Sequence, residues 1–181
     1  MERNTRMRAL VVVDVQNDFV TGSLGTAEAR AMLPGLVEKL RGFEGAVYFT
    51  LDTHDAGYMQ TQEGRKLPVP HCVKGTPGWQ LAPEVEAVRQ SLGAKAVEKP
   101  TFGSEALVEE LKALYESGGL ESVELVGLCT DICVVSNALL LKAAMPELPI
   151  SVDAACCAGV SPASHEAALT VMECCQIEVK R

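Results

Sequence analysis

Apolar positions along the chain fall into two alternating rhythms, short unbroken runs and helical stripes. Residues 10–13 form a continuous apolar run, too uniform for an amphipathic segment, and read as a strand buried on both faces. Residues 27–41 place Leu33, Leu36, Val37 and Leu40 on one helical face, with Pro34 expected to shorten or kink the helix. Residues 46–51 read as a second strand. Residues 52–83 are rich in Gly, Pro and polar side chains and read as a loop, and a loop of that length in a compact domain is usually functional. Residues 95–98 suit a short strand. Glu105–Glu116 suits a helix with Ser104 as its cap and Gly118-Gly119 at its end. A strand over 123–127, a helix over 131–144 and a strand over 149–152 follow. The chain closes with a helix over 161–174, Ser161 as cap and Pro162 at its first position, and a strand over 176–180.

Strands alternating with helices predict a parallel α/β sheet covered on both faces. The length of 181 residues suits one domain, 1–181, with a sizeable core. A hydrophobic content of 48% excludes a disordered chain. The net charge of −8 argues against nucleic acid or anionic membrane as partner. Residues 1–8 are basic and 9–13 apolar, but that apolar run is too short for a signal peptide, and no segment approaches the length of a membrane span. A soluble, cytoplasmic protein is therefore expected. Seven cysteines, an odd number with two adjacent pairs, argue against a disulfide framework and for reduced thiols.

The predicted strand ends carry the polar exceptions: Asp14, Asp52, Lys99 and Cys133. In an open parallel sheet those ends share the ligand-binding edge. Residues 127–134 (GLCTDICV) run from a strand end into a helix that starts near Thr130 or Asp131. Cys133 then falls in the first helical turn, where unpaired N–H groups and the helix dipole are expected to lower a thiol pKa. The long loop holds a second cluster: Asp52 and His54 two residues apart, then Glu63, then His71. Such carboxylate and imidazole donors suit zinc, manganese or iron, and the same residues can also form a loop network without metal. His165, at a predicted helix start, reads as structural.

The segment Asp14-Val15-Gln16-Asn17-Asp18-Phe19, Lys99 with Phe102 after it, and residues 127–134 occur in an order that resembles the isochorismatase-like cysteine hydrolases. The resemblance covers nearly the whole chain and is most specific to the nicotinamidase branch. It implies a three-layer α/β/α sandwich around a mostly parallel six-stranded sheet. It implies a catalytic triad of Asp14, Lys99 and Cys133, a cis peptide between Leu128 and Cys129, and an oxyanion hole from the backbone N–H groups of Cys129 and Cys133. It also implies one divalent metal, zinc with manganese or iron as alternatives, held by Asp52, His54 and His71. The fourth ligand is a histidine or a glutamate in that branch, and with no histidine between 54 and 71 the position goes to Glu63.

Phe19 corresponds to the residue that packs on the substrate ring, and Phe102 lies close to the same pocket. Pro68 stands where nicotinamidases commonly carry an aromatic residue, so Trp79 or Tyr58 is expected to supply that wall. The implied reaction is hydrolysis of nicotinamide to nicotinic acid and ammonia through a thioester, with a small amide as substrate and a homo-oligomer as the assembly. Two alternatives remain at this point. One is hydrolysis of a carbamoyl, ureido or other small amide by the same triad without metal. The other, of a different class, is a thiol redox or ligand-binding protein using Cys129 and Cys133.

Overall fold

A computed structural model describes residues 6–181, so most of the basic leader, residues 1–5, lies outside the described part. Six strands form one sheet: β1 (Met7–Val13), β2 (Ala46–Asp52), β3 (Ala96–Lys99), β4 (Leu120–Leu128), β5 (Ile150–Ala158) and β6 (Glu178–Lys180). Their order is β3-β2-β1-β4-β5-β6, and every strand pairing is parallel. The connections run outward from β1 to β3 and then return to β4 on the other side of β1. A topological switch point therefore lies between β1 and β4, and its carboxyl edge is where an open α/β sheet leaves a crevice.

The continuous apolar run in β1 is explained by burial on both faces. Leu10 and Val12 face one layer with α2 (Ala27–Gly42) and α4 (Pro83–Leu92). Ala9, Val11 and Val13 face the other with α5 (Glu105–Glu116), α6 (Val135–Ala144) and α7 (Pro162–Cys174). The predicted α/β/α sandwich is thus present.

Three local expectations are corrected. Pro34 neither ends nor shortens α2, which continues to Gly42. The span 52–83 is not a bare loop: two 3-10 turns (Tyr58–Gln60 and Pro77–Trp79) and α3 (Gln62–Lys66) subdivide it. Before it, a short α1 (Asn17–Val20) leads away from the sheet edge. Finally, the helix after β4 opens with a π-helical turn at Thr130–Val134 rather than a regular α turn.

Candidate active site

Three of the four strand-end residues meet at the switch point. Asp14 follows β1 with a positive φ of 47°, a conformation aspartate tolerates better than most side chains. It is fully buried, its Oδ1 accepts a 2.7 Å hydrogen bond from the Thr50 hydroxyl, and its Oδ2 stands 2.6 Å from Lys99 Nζ. Among the described residues no donor meets Oδ2 in regular hydrogen-bond geometry, and the Lys99 ammonium is its nearest charged partner. Lys99 ends β3, donates to the Thr101 carbonyl at 3.0 Å and stands 3.5 Å from Cys133 Sγ. Cys133 lies in the π-helical turn and is buried. Acid, ammonium and thiol therefore form one contiguous group, with the ammonium touching both of the others.

The electrostatics correct one expectation. Burial and the charge of Asp14 push the Cys133 thiol well above its ordinary pKa, and Lys99 offsets this only in part. The helix start does not deliver a resting thiolate. Burial likewise raises the Asp14 carboxyl against the pull of Lys99. Burial alone would weaken the Lys99 ammonium, but Asp14, Cys133 and Asp52 together hold its pKa far above the ordinary lysine value. The group thus carries a protonated thiol beside a carboxylate whose proton affinity is enhanced, which suits transfer of the thiol proton at the moment of attack.

Leu128 and Cys129 are joined by the expected cis peptide, and the Cys129 carbonyl accepts from the N–H groups of Ile132 and Val134. Burial followed by the nearby Asp131 pushes the Cys129 thiol up to about 12. The turn is tied down from outside: Thr130 Oγ1 and His165 Nδ1 are 2.7 Å apart, which gives His165 the structural role expected of it.

The second cluster also assembles. Asp52, the last residue of β2, places Oδ2 3.1 Å from His54 Nε2 and 3.5 Å from His71 Nε2. Glu63 Oε1 lies 3.7 Å from each of those ring nitrogens. The tight three-donor set is Asp52, His54 and His71, and Glu63 adjoins it. His71 Nδ1 is 2.8 Å from the Val69 carbonyl, which can only accept. The neutral ring must then carry its proton on Nδ1 and turn the Nε2 lone pair inward, the tautomer a metal ligand needs. Burial raises the Asp52 carboxyl, but His54, His71 and Lys99 outweigh it and hold it well below the ordinary range. The donors thus fit a divalent metal ion.

These two clusters border one cavity of about 520 Å³. Asp52, Glu63, His71, Cys129 and Cys133 are among its lining residues, and the buried Asp14 and Lys99 are not. Phe19 and Phe102 line it as expected. Trp79 does not: its indole N–H donates to Thr53 Oγ1 at 2.9 Å and its ring packs toward the core. Tyr58 is also turned away, packed on the rings of His54 and His71 with centroids 4.7 and 5.0 Å apart. Leu67, next to Pro68, faces the cavity instead.

Two further residues, inconspicuous in the sequence, hold these groups in place. Gln16 is fully buried and clamps Asp52, its Oε1 accepting from Asp52 N at 2.8 Å and its Nε2 donating to the Asp52 carbonyl at 2.9 Å. Asp18 accepts from Cys72 N at 2.8 Å and so fixes the residue after His71. Both lie in the quoted 14–19 segment, but nothing in one sequence ties them to partners more than thirty residues away.

Sheet order, layering and a buried acid–amine–thiol cluster at the carboxyl edge define a cysteine-dependent enzyme of the three-layer α/β/α class. The chain matches the Isochorismatase domain over residues 8–180 and belongs to that family. It is 33% identical to the nicotinamidase/pyrazinamidase of Mycobacterium tuberculosis over 186 residues, covering 96% of this chain and 98% of the relative. The crystal structure of nicotinamidase/pyrazinamidase from Bacillus subtilis superposes with a TM-score of 0.83 at 26% identity, covering 97% of this chain and all of that one (100%). The pyrazinamidase of Pyrococcus horikoshii, solved in complex with zinc, shares the fold with a TM-score of 0.76 at 24% identity, covering 97% and 99% of the two chains.

Proposed function

We propose that this protein is a metal-assisted cysteine amidase that hydrolyses nicotinamide to nicotinic acid and ammonia. The observation that carries the reading is the contact set around Lys99, 2.6 Å from Asp14 and 3.5 Å from Cys133, beside a cavity bordered by metal-type donors. The full-length likeness to a nicotinamidase/pyrazinamidase supports it.

In this mechanism the Asp14 carboxylate takes the Cys133 proton as Sγ attacks the amide carbon. Lys99 keeps positive charge beside the developing thiolate and orients the carboxylate. The N–H groups of Cys129 and Cys133 receive the oxyanion. Collapse expels the amine, which leaves as ammonia with the proton from Asp14, and a thioester remains on Cys133. Asp14 then draws a proton from water, the hydroxyl adds to the thioester, and the acid departs as Sγ regains its proton. Phe19, edge-on to His71 at 5.5 Å, supplies a flat apolar wall for the ring.

Asp52, His54 and His71 would hold one divalent ion, with Glu63 as a fourth donor; bound there, it supplies a Lewis-acid centre beside the acyl group. Zinc is the ion we propose, since two imidazoles and carboxylate oxygens suit it, and manganese or iron are the competing outcomes of metal analysis. The test is ammonia release from nicotinamide by metal-loaded protein, with and without chelator, and by Cys133→Ala. Release that depends on both metal and Cys133 is expected. No release from loaded wild-type protein, or full release by Cys133→Ala, overturns the reading.

A further inference from the structure

We infer that the site prefers to nicotinamide itself a carboxamide whose ring carries an apolar extension, an inference that rests on the amidase reading and extends it. The first observation is size. A six-membered ring with one carboxamide takes only several times the roughly 30 Å³ share of one liquid water. The cavity of about 520 Å³ falls in the range that encloses a considerably larger ligand.

The second observation is what lines the excess room. Leu24, Leu128 and Ile132 join Leu67, Phe102 and Val160 in the wall, and charge in the lining is confined to four residues between 52 and 71. Leu67, Phe102 and Val160 are the exposed apolar members of the lining, 38%, 45% and 58% exposed, and are called here its collar. They come from three separate segments: the end of α3, the loop after β3 and the loop after β5. Val160 lies two residues past Ala158, the end of β5, which pairs with Leu128 beside Cys129.

The third observation is that the collar is held in place. The Leu67 carbonyl accepts from the Tyr58 hydroxyl at 2.9 Å. The Phe102 carbonyl accepts from Asn137 Nδ2 at 3.3 Å. The Val160 N–H donates to the Asp131 carboxylate at 3.1 Å. Three exposed apolar side chains on individually anchored backbones are preorganised to cover a ligand, with little ordering left to lose on binding. The reaction is unchanged: R–CONH2 and water give R–COOH and ammonia, and only R is enlarged.

The experiment compares nicotinamide, 5-butylnicotinamide and quinoline-3-carboxamide as substrates of the metal-loaded wild type, Val160→Asp and Leu67→Ser. Calorimetry on metal-loaded Cys133→Ala measures binding of the same three. Each buried methylene is worth about fourfold in affinity, so the extended amides are expected to exceed nicotinamide in kcat/KM by at least about tenfold. The two collar variants are expected to cut that ratio at least about fivefold. Turnover of nicotinamide with no preference for the extended amides, or a ratio that neither variant moves, overturns this inference and leaves the amidase reading standing. If nothing is hydrolysed but the extended amides bind Cys133→Ala more tightly than nicotinamide, the extended pocket stands and the amidase reading falls. If nothing is hydrolysed and no preference appears in binding, both fall.

Discussion

Lys99 is 1% exposed, and a lysine is seldom buried so completely without a partner for each direction of its charge. Here Asp14 lies at 2.6 Å, the Thr101 carbonyl at 3.0 Å, Cys133 at 3.5 Å and Asp52 at 3.6 Å. Lys99→Met would leave the Asp14 charge buried without its cation, so we expect a stability loss of about 3–5 kcal/mol in urea unfolding together with loss of amide hydrolysis. Cys129, which caps the π-helical turn, and Cys133, which lies in it, separate by role. Cys133→Ser is expected to lower the rate at least about a thousandfold, as removal of a nucleophile does. Cys129→Ser should keep the rate within a few fold, because only its backbone is used; equal losses in the two would show that the Cys129 side chain takes part. At this scale residue types and their order were legible in the sequence, because aspartate, lysine and cysteine at strand ends are chemically conspicuous. The protonation of Cys133 was not, since it depends on how deeply the thiol is buried and on the charge of Asp14, and neither is a property of its local sequence. Trp79 was misplaced for the same reason: aromatic character was visible, but not its hydrogen bond to Thr53.

The elements carry a second kind of information, in the places where backbones must touch. Gly127 has a φ of +118°, and a Cβ there would stand 2.2 Å from the Val13 carbonyl oxygen. Gly127→Ala therefore combines a backbone conformation that alanine resists with a clash against β1, and we expect destabilisation above about 2 kcal/mol, measured by thermal or denaturant unfolding. A variant as stable as wild type would mean that β4 shifts freely against β1. Strand β1 is readable because its apolar run over 9–13 is continuous, and β2 and β4 because theirs, over 46–51 and 123–126, are broken only by Thr50 and Glu124. α4 was overlooked although Pro83 opens it and Gly93, with a φ of +60°, closes it. It buries only Val85 and Val88 beneath a largely polar helix of ten residues, too weak a stripe to stand out. β5 was expected over 149–152 but runs from Ile150 to Ala158. The pairing with β4 shifts register between Leu125 and Gly127, so the polar and small residues near Asp153 interrupt the apolar pattern without ending the strand.

Across the whole molecule, a charge network ties four elements together. Lys39 of α2 stands 2.5 Å from Glu124 of β4 and 2.6 Å from Asp153 of β5, and Lys180 of β6 also pairs with Glu124. Burial raises the Glu124 carboxyl, but Lys180 and Lys39 outweigh it and depress its pKa below the ordinary 4.5. Asp153 is likewise depressed below 3.8, burial being outweighed by Lys39. Burial opposes the Lys39 ammonium, yet Asp153 and Glu124 raise its pKa above 10.5. The carboxylates therefore contribute stability that is present above their ordinary values and lost as pH falls through the depressed ones. The lysine contributes stability that is present below 10.5 and lost as pH rises through its raised value. Lys39→Met should flatten both flanks of the stability–pH curve, as read from unfolding midpoints across pH. Removing metal with a chelator should lower the thermal midpoint, and restoring it at a hundred times its Kd should add about 2.7 kcal/mol; a midpoint indifferent to metal would contradict the donor set at Asp52, His54 and His71. No helix of the described residues is long and apolar enough to cross a membrane. The strand order has a kinetic consequence as well. β1 reaches its neighbour β4 only after β2, β3 and their helices have been threaded between them in sequence, with Val13 paired to Gly127. Pairings of such long sequence separation form slowly, because a large loop must close before any contact rewards it. The thiol and the carboxylate sit on opposite sides of that seam, so a refolding chain acquires its helices first and its catalytic competence last. Ammonia production after dilution from denaturant should therefore lag behind the recovery of far-ultraviolet circular dichroism.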